Sequence, residues 1–310
     1  METNRSLHGT MMARQAAHVL NIGSVNIDHV YQVDHFVRPG ETLSSTGYHA
    51  FAGGKGFNQS VALARAGVPV RHAGCIGRDG AWLLERLAGE GVDIARIRTI
   101  EAPTGHAMIQ VSSAGENAIV LHRGANASVT AEDVARALES CCADDILLVQ
   151  NETSSVAEAI RAAKRRGLQV VFNPAPMSAA VLEYPLRDVD CFVLNETEAE
   201  DLTGERTPEA VLAAMRGRYP GAAAVLTMGA RGAAYLDSAG IMRHPGRPVQ
   251  AVDTTGAGDT FIGFFLSEMM RSGSPARALA RGCDAAAVCI TRPGAADSIP
   301  FWSEVASGEV

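Results

Sequence analysis

Short apolar runs alternate with longer stretches of helical spacing through most of the chain. Four runs in its central part, ILLVQNE, QVVFNPAP, CFVLNETE and AAVLTMGARG, are strongly apolar and end in polar residues or glycine, and three of them follow a helical pattern. This order is typical of βαβ units, in which helices cover both faces of a parallel sheet. Ligands of such sheets bind beyond the carboxyl ends of the strands, where the polar residues of these runs lie.

Further strands and helices are predicted on both sides of these runs. HVLNI and VRHAGCIG have the composition of buried strands, and Gly23 and Asn26 interrupt the continuation of the first. GFNQSVALARAG and AWLLERLAGEG are typical of helices, and the first of these ends at Gly67. GHAMIQVSSAGENAIVLHRG alternates on both sides of a turn, as a β-hairpin does. GAGDTFIGFFLSEMMRSG and SPARALARGCDAAAVCI predict two long helices, the second reaching Thr291.

These elements predict one α/β domain over residues 18–310, because no linker, repeat or low-complexity tract divides the chain. Its central sheet is expected to be mainly parallel, with an antiparallel patch at about 30–50 and 105–121. Residues 1–17 lack the apolar segment of a signal peptide. We expect them to be a disordered extension, with Met11 or Met12 as an alternative start.

Composition narrows the classes of partner. Hydrophobic residues make up 47% of the 310 and the net charge is −7, which permits a large core and argues against nucleic acid as the partner. The six cysteines form no C-x-x-C pair and the nine histidines show no metal-binding spacing, so we expect mostly reduced core thiols in a cytoplasmic protein. No apolar stretch reaches the length of a membrane span.

The segment VDTTGAGDTFIGF, residues 252–264, combines small residues with the start of an apolar helix. A dinucleotide fingerprint would need glycine at position 261, where Phe261 stands. A phosphate cradle fits better, because Gly256, Ala257 and Gly258 let backbone N–H groups approach an anion at a helix N-terminus. The other glycine cluster, AGGKGFNQS, is not a P-loop, since no Ser or Thr follows its lysine.

Asp259 follows the cradle directly, and two interpretations of it remain open. A carboxylate beside a phosphate site is unfavourable unless it handles a proton, so Asp259 could accept the proton of a hydroxyl during phosphoryl transfer. Alternatively, Asp259 caps the helix, as aspartates commonly do.

Other polar residues lie where the predicted strands end. Asn26 and Asp28 suit the vicinal hydroxyls of a sugar, and the glycines around Lys55 suit close approach to a small polar ligand or a plain strand-to-helix turn. In NETEAEDLTG, Asn195 and Glu198 are three residues apart and can face one ligand or ion, or form an exposed acidic first turn of a helix. In TMGARG, Thr227 and Gly229 are available to a nucleotide.

Together these segments resemble the ribokinase-like (PfkB-type) family of carbohydrate kinases from about residue 20 to 302. GGKG and DTTGAGDTF are similar to the two signature regions of that family, and GSVNIDH, RPGET, NPAP, NETEAEDLTG and TRPGAADSIP fall where it has similar strings. The resemblance implies a three-layer α/β/α fold and ATP-dependent phosphorylation of a primary hydroxyl of a sugar. D-Ribose is the expected sugar. Deoxyribose, a fructose-type sugar or a nucleoside such as pseudouridine are the alternatives, and a sugar-binding regulator without catalysis is the alternative from another class.

The resemblance also implies roles for individual residues. Asp259 is expected to be the catalytic base, with Gly256, Ala257 and Gly258 as the anion hole. The positions that match sugar contacts are Asn26, Asp28, Gly54, Lys55, Gly56, Asn58 and Glu152. Those that match nucleotide contacts are Asn195, Thr227, Gly229, Gly232 and Gly258.

Metal ions and a dimer are implied in the same way. Glu198 is expected to act on Mg²⁺ through water. A monovalent cation, usually K⁺, is expected at Asp253, Thr255, Cys289, Arg292, Gly294 and Ser298, in several cases through backbone carbonyls. The antiparallel patch matches a lid that closes over the sugar and forms a homodimer interface. Two positions depart from the family pattern: Phe57 replaces a small residue, where it packs beneath the loop or trims the sugar pocket, and Asn151 differs in QNE.

Overall fold

The computed structural model describes residues 18–305, so the expectations for residues 1–17, including Met11 and Met12, lie outside the described residues. The strands of the described range are β1 (Val19–Ile22), β2 (Asn26–Val33), β3 (Gly47–Gly53), β4 (Val70–Gly77), β5 (Asp93–Ile100), β6 (Gly105–Ser112), β7 (Asn117–His122), β8 (Ile146–Gln150), β9 (Gln169–Asn173), β10 (Cys191–Asn195), β11 (Ala223–Thr227), β12 (Ala233–Asp237) and β13 (Gly240–His244). Its α-helices are α1 (Lys55–Arg65), α2 (Ala81–Gly89), α3 (Ala131–Leu138), α4 (Val156–Arg165), α5 (Glu196–Thr203), α6 (Pro208–Arg218), α7 (Ala257–Ser272) and α8 (Pro275–Cys289).

The large sheet has nine strands in the order β13-β12-β11-β10-β9-β8-β1-β4-β5. The seven neighbouring strands β11-β10-β9-β8-β1-β4-β5 pair in parallel. Strands β12 and β13 are added antiparallel at the β11 edge. From β1 the chain moves outward to β4 and β5 on one side, and later from β8 to β11 on the other. The strand order therefore reverses between β1 and β8, which is where ligands of open α/β sheets bind.

Helices cover both faces of this sheet, because alternate residues of its strands point to opposite sides. Along β8, Ile146 and Leu148 belong to one buried cluster, while Leu147 and Val149 belong to the other. The first cluster includes residues of α1, α2, α7 and α8, and the second includes residues of α3, α4, α5 and α6. The fold is the predicted three-layer α/β/α arrangement.

The small sheet, which we call the lid after the sequence prediction, has the strand order β3-β2-β6-β7. Strand β2 pairs antiparallel with β3, and β6 pairs antiparallel with β7, but β2 and β6 pair in parallel. The predicted antiparallel patch thus consists of two antiparallel pairs joined by a parallel one. The reason is that β2 continues from β1 and β6 continues from β5, so both leave the large sheet in the same direction. Residues 34–46, inside the predicted patch, are a loop.

The structure corrects the predicted bounds of one helix and adds strands. Helix α8 ends at Cys289, not Thr291, because the backbone tightens there into turns that begin with the Thr291 N–H bonding to the Val288 carbonyl. Strands β5, β12 and β13 are not predicted by the sequence pattern.

The six cysteines are free thiols, and the buried ones are Cys75, Cys191, Cys283 and Cys289. Among residues 18–305, no helix is long and apolar enough to cross a membrane.

Candidate active site

The β1–β2 turn packs directly on the start of α1, at the place where the strand order reverses. A Cβ atom on Gly56 would lie 2.4 Å from the backbone nitrogen of Ser24, and the Phe57 N–H donates to the Ser24 carbonyl at 2.8 Å. Gly54 has a φ of 91°, which favours glycine. Close packing therefore explains Gly56, and backbone conformation explains Gly54. Both expected sugar positions lie in the crevice between β1, β3 and α1.

Two carboxyl groups meet in this crevice. Glu152 follows β8, and its Oε2 accepts hydrogen bonds from the Lys55 backbone nitrogen at 2.9 Å and from the Ser24 hydroxyl. Burial raises the pKa of Glu152. Burial and the nearby charge of Glu152 raise the pKa of Asp28, on lid strand β2, to about 7. At neutral pH Asp28 can therefore donate as well as accept, which suits the hydroxyl groups of a sugar.

Asn26 and Asn58 complete the polar wall of the crevice. The Asn26 side-chain oxygen accepts from Nδ2 of Asn126 at 2.7 Å. Asn58 donates its Nδ2 to Oδ2 of Asp259 at 3.0 Å, while its buried Oδ1 has no hydrogen-bond partner among the described residues. A buried acceptor without a partner is unfavourable, so a donor such as a sugar hydroxyl fits this position.

Asp259 lies in the first turn of α7, and its side chain is directed to α1. The helix N-cap is Gly256, with a φ of 76° and no side-chain cap. Asp259 is 7% exposed and accepts from Asn58 and from Nε2 of Gln59, the latter at 2.8 Å to Oδ1. The alternative that Asp259 caps the helix is therefore wrong. The carboxylate is held by two amide groups across the crevice.

A buried cation and three carboxyl groups determine the electrostatics of the site. Burial alone would lower the pKa of Lys55, but the carboxylates of Asp259, Glu152 and Glu198 raise it above its usual value. Burial raises the pKa of Asp259, against the opposing effects of Lys55 and the two amides. A carboxylate with a raised pKa is a better proton acceptor than one at the surface.

The small residues before Asp259 leave room at the positive end of α7. Gly256 has the left-handed conformation, and a Cβ atom on Gly258 would meet nothing within 4 Å. The start of a long helix is a favourable place for an anion, since its first N–H groups point outward. The anion hole at Gly256, Ala257 and Gly258 stays a prediction, for which this end of α7 has the space.

The expected nucleotide residues lie farther along the same edge of the sheet. Asn195 and Thr227, at the ends of β10 and β11, face each other in register. Gly229 and Gly232 follow with positive φ values of 55° and 91°. Asn195 and Glu198 form a reciprocal capping box at the start of α5.

Glu198 is buried and not in an exposed acidic turn. Its Oε2 accepts from the Asn195 N–H at 3.0 Å and from Asn173 Nδ2 at 3.4 Å, and its Oε1 accepts from Asn195 Nδ2 at 2.9 Å. Burial raises its pKa. Because three N–H donors already occupy this carboxylate, it fits contact with a metal through water better than direct ligation. Within residues 18–305, no group of three or more His, Cys, Asp or Glu side chains is placed to hold a metal ion.

The residues expected around K⁺ come together beside the start of α7. Asp253 accepts from the backbone nitrogens of Thr255 and Gly294, each at 2.9 Å. Cys289 Sγ is 3.0 Å from Ser298 Oγ and 3.9 Å from the Thr255 carbonyl oxygen. These contacts join the segment before α7 to the turn after α8.

Arg292 belongs to this region by its backbone only. Its guanidinium group is paired with Glu304 at 2.7 Å, and its N–H donates to the Cys289 carbonyl at 3.1 Å. A thiol and a guanidinium group are poor ligands for K⁺, which prefers oxygen. Cys289 and Arg292 can therefore contribute only carbonyl oxygens.

The two departures from the family pattern are both turned away from the crevice. Phe57 is 0% exposed and packs in the buried cluster beneath α1. Asn151 donates to the Pro176 carbonyl at 2.7 Å and accepts from the Tyr184 hydroxyl at 2.8 Å. Phe57 is a packing residue, and Asn151 holds the loop after β9.

Several polar residues of the site were not singled out from the sequence. Gln150 and Asn173 are the last residues of β8 and β9, and polar residues at the ends of apolar strands are a usable signal. Gln59 lies inside a glycine-rich motif on α1, where it has the pattern of an ordinary helix residue. Its contact with Asp259, two hundred residues along the chain, follows only from the folded structure.

The site combines polar side chains at the reversal point of a doubly wound sheet, a small second sheet that carries Asp28, and a buried carboxylate at a glycine-rich helix start. This combination is typical of kinases of small hydroxylated molecules. The sequence matches the family described as pfkB family carbohydrate kinase over residues 16–302. The chain belongs to this family.

Individual relatives agree with this assignment. The chain is 42% identical over 294 residues to the ribokinase of Haemophilus influenzae, covering 91% of this chain and 95% of that protein. Ribokinase from Thermotoga maritima has a similar structure, with a TM-score of 0.84 and 33% identity over 93% of this chain and 98% of the other. Arabidopsis thaliana ribokinase, solved with ribose and ATP, gives a TM-score of 0.83 and 28% identity over 94% and 97%.

Proposed function

We propose that this protein transfers the γ-phosphoryl group of ATP to the primary hydroxyl of D-ribose, giving D-ribose 5-phosphate and ADP. The observation that carries the proposal is the position of Asp259, a buried carboxylate between the crevice of Asn26, Asp28 and Asn58 and the anion-binding start of α7. The identity of this chain to named ribokinases over most of its length supports ribose as the sugar.

The chemistry assigned to the site is a single displacement. Asp259 accepts the proton of the sugar hydroxyl while that oxygen forms a bond to the γ-phosphorus and ADP leaves with the bond electrons. Backbone N–H groups at Gly256, Ala257 and Gly258 stabilise the charge on the phosphoryl oxygens, which is the main requirement of such a transfer. Asn26, Asp28, Gly54, Lys55, Gly56, Asn58 and Glu152 would orient the sugar, and Asn195, Thr227, Gly229, Gly232 and Gly258 the nucleotide.

We propose that two cations assist. Mg²⁺ would enter with ATP, neutralise phosphate charge and meet Glu198 through water, as the crowded carboxylate of Glu198 suggests. K⁺ would be held by oxygens of Asp253, Thr255 and Ser298 and by the carbonyls of Cys289, Arg292 and Gly294. The oxygen-rich donor set fits that ion, and its charge would lie beside the first turn of α7.

The lid has a second proposed role. Its strand β2 carries Asp28 to the sugar, while Ile119 and Leu121 on β7 are 57% and 44% exposed. Large apolar side chains at such exposure favour association, and we propose that a second copy of the chain covers them in a homodimer. The free thiols of all six cysteines accord with the cytoplasmic location that we propose.

The test is ADP release by the purified protein with Mg-ATP, in K⁺ and in Na⁺ buffer. The sugars and nucleosides to compare are ribose, 2-deoxyribose, fructose, common nucleosides and pseudouridine. We expect turnover with ribose that falls sharply when Na⁺ replaces K⁺. Faster turnover on another compound would overturn ribose but keep the kinase. Tight sugar binding without turnover would indicate a regulator, and equal rates in both salts would remove the K⁺ assignment.

A further inference from the structure

Gln59 is fully buried on α1, and none of the roles proposed above uses it. Its side-chain nitrogen is 2.8 Å from Oδ1 of Asp259 and 3.2 Å from Oδ1 of Asn173. Its side-chain oxygen is 2.6 Å from Nε2 of Gln150. Gln59 therefore connects the proposed base on α7 to the ends of strands β8 and β9.

The neighbours of Gln59 determine which end of its amide faces Asp259. A carboxylate only accepts hydrogen bonds, so it must face the nitrogen and not the oxygen of the amide. Asn173 agrees with this orientation. It donates its own nitrogen to the backbone carbonyl of Val193 at 3.0 Å, which leaves its oxygen to accept from Gln59.

The hydrogen-bonded side-chain amides, which we call the chain of amides, continue from Gln59 through Gln150 to Asn21 on strand β1. The orientation of the amides is fixed at Asn21 as well. Asn21 donates its nitrogen to the backbone carbonyl of Gly56 at 2.8 Å, so its oxygen is left to accept from Gln150 at 3.0 Å. The same nitrogen of Gln150 donates to the side-chain oxygen of Gln59. Backbone carbonyls and the Asp259 carboxylate only accept hydrogen bonds, so they give each amide one orientation. The chain of amides ends on Asp259.

We propose that Gln59 is a positioning residue, which fixes the plane and location of the Asp259 carboxylate relative to the strand ends where the sugar binds. The inference rests on the proposed function, because it requires that Asp259 be the base. A carboxylate bonded through one oxygen can rotate about its Cβ–Cγ bond. With Gln59 on Oδ1 and Asn58 on Oδ2, both oxygens are held.

The composition of the chain of amides adds a second consequence. Carboxamides do not titrate, so the proton that Asp259 takes from the sugar hydroxyl cannot pass along the chain of amides. Gln59 accordingly acts by orientation and not as a proton relay, and an effect of its removal should be seen on the chemical step.

The test replaces Gln59 with methionine, which has a similar length but neither donates nor accepts a strong hydrogen bond. We expect kcat of Gln59→Met to fall roughly 10- to 100-fold, while the KM values for sugar and ATP change little. Val61→Ala is the matched control, because Val61 is equally buried on α1 but contributes no side-chain polar atom. It should lower the melting temperature and leave kcat near that of the wild type.

The second arm introduces Gln59→Met into Asp259→Asn and measures residual turnover at stoichiometric enzyme. We expect no further fall in rate, because the group that Gln59 positions is already lost. An equal fall in both backgrounds would mean that Gln59 acts on the fold alone, and wild-type kcat in Gln59→Met would also overturn the inference. If Asp259→Asn itself keeps full turnover, the proposed function fails instead, so the two failures can be distinguished.

Discussion

The absence of a Cβ atom at Gly53 leaves room for the Asp28 carboxyl group in the sugar crevice. A Cβ atom at Gly53 would lie 2.0 Å from Oδ2 of Asp28. The clash is with the end of a flexible side chain, so the fold can tolerate it but the carboxyl group of Asp28 must move. We expect Gly53→Ala to raise the KM for sugar about tenfold, the effect of losing one hydrogen bond to a charged group. The KM for ATP and the melting temperature should change little, and steady-state kinetics with an unchanged sugar KM would contradict the assignment of Asp28.

The raised pKa of Asp28 predicts a pH-dependent stability of the sugar-free protein. With a pKa of about 7 in the folded state, Asp28 still holds a proton between about pH 4 and 7, where the unfolded chain has already released it. The folded state is therefore destabilised as the pH rises through this window. Asp28→Asn removes this effect and leaves Glu152 and Lys55 in place.

We expect Asp28→Asn to have a melting temperature about 5 °C above that of the wild type at pH 8, with the difference shrinking towards pH 5. Differential scanning calorimetry without sugar at both pH values measures this directly. A difference of the same size at pH 5 and pH 8 would mean that burial and Glu152 do not raise the pKa of Asp28.

The first turn of α7 offers a substitution that separates stability from activity. Nothing lies within 4 Å of a Cβ atom built on Gly258, so alanine there should fold without strain and gain about 0.5–1 kcal/mol of helix stability. That methyl group would, however, stand where the phosphoryl group is proposed to lie. We expect Gly258→Ala to lower kcat at least about tenfold while the melting temperature holds or rises.

A glycine far from the site provides the control for that variant. Gly217, near the end of α6, also has space for a side chain, since a Cβ atom added there would meet nothing within 4 Å. Gly217→Ala should stabilise the helix similarly and leave kcat unchanged. Equal kinetics for the two variants would remove the anion hole from α7.

Elements with strong apolar periodicity could be predicted from the sequence, and those without it could not. The strands Val70–Gly77 and Ile146–Gln150 are almost wholly buried and stand out as apolar runs. Strand β5, at the edge of the large sheet, has the sequence DIARIRTI and is exposed along much of its length. An edge strand covered by charged side chains has no buried run to recognise. The parallel pairing of β2 with β6 depends on the direction of both strands in the fold, which no local pattern carries.

The exposed apolar side chains of the lid predict that two copies of the protein associate. By register, Leu121 and Ile119 share the face of Asp28, while Val120 lies on the opposite face of the small sheet. We expect a dimer at micromolar concentration in sedimentation velocity, and expect Leu121→Asp to dissociate it. Val120→Asp, which places the same charge on the other face, should remain a dimer. A monomeric wild type, or dissociation by both variants, would contradict an interface on the face of Asp28.

The site as a whole could be predicted only in part. The glycine clusters and Asp259 were identified because they are adjacent in sequence, and the resemblance to a kinase family gave them an order. The chain of amides from Asn21 through Gln150 to Gln59 unites residues from three separate regions of the sequence. Each is an ordinary polar residue on its own. Their common function arises from the meeting of strand ends at one edge of the sheet.

The proposed role of Asp259 as the base of an ATP-dependent sugar kinase can be tested by replacing its carboxylate with an amide. The wild type and Asp259→Asn are incubated with ribose and Mg-ATP, the sugar phosphate is followed by ³¹P NMR, and ATP affinity is measured by calorimetry. We expect ribose 5-phosphate from the wild type, a rate at least about 10³-fold lower in Asp259→Asn, and equal ATP affinity in both. Near-normal formation of the sugar phosphate by Asp259→Asn would contradict it.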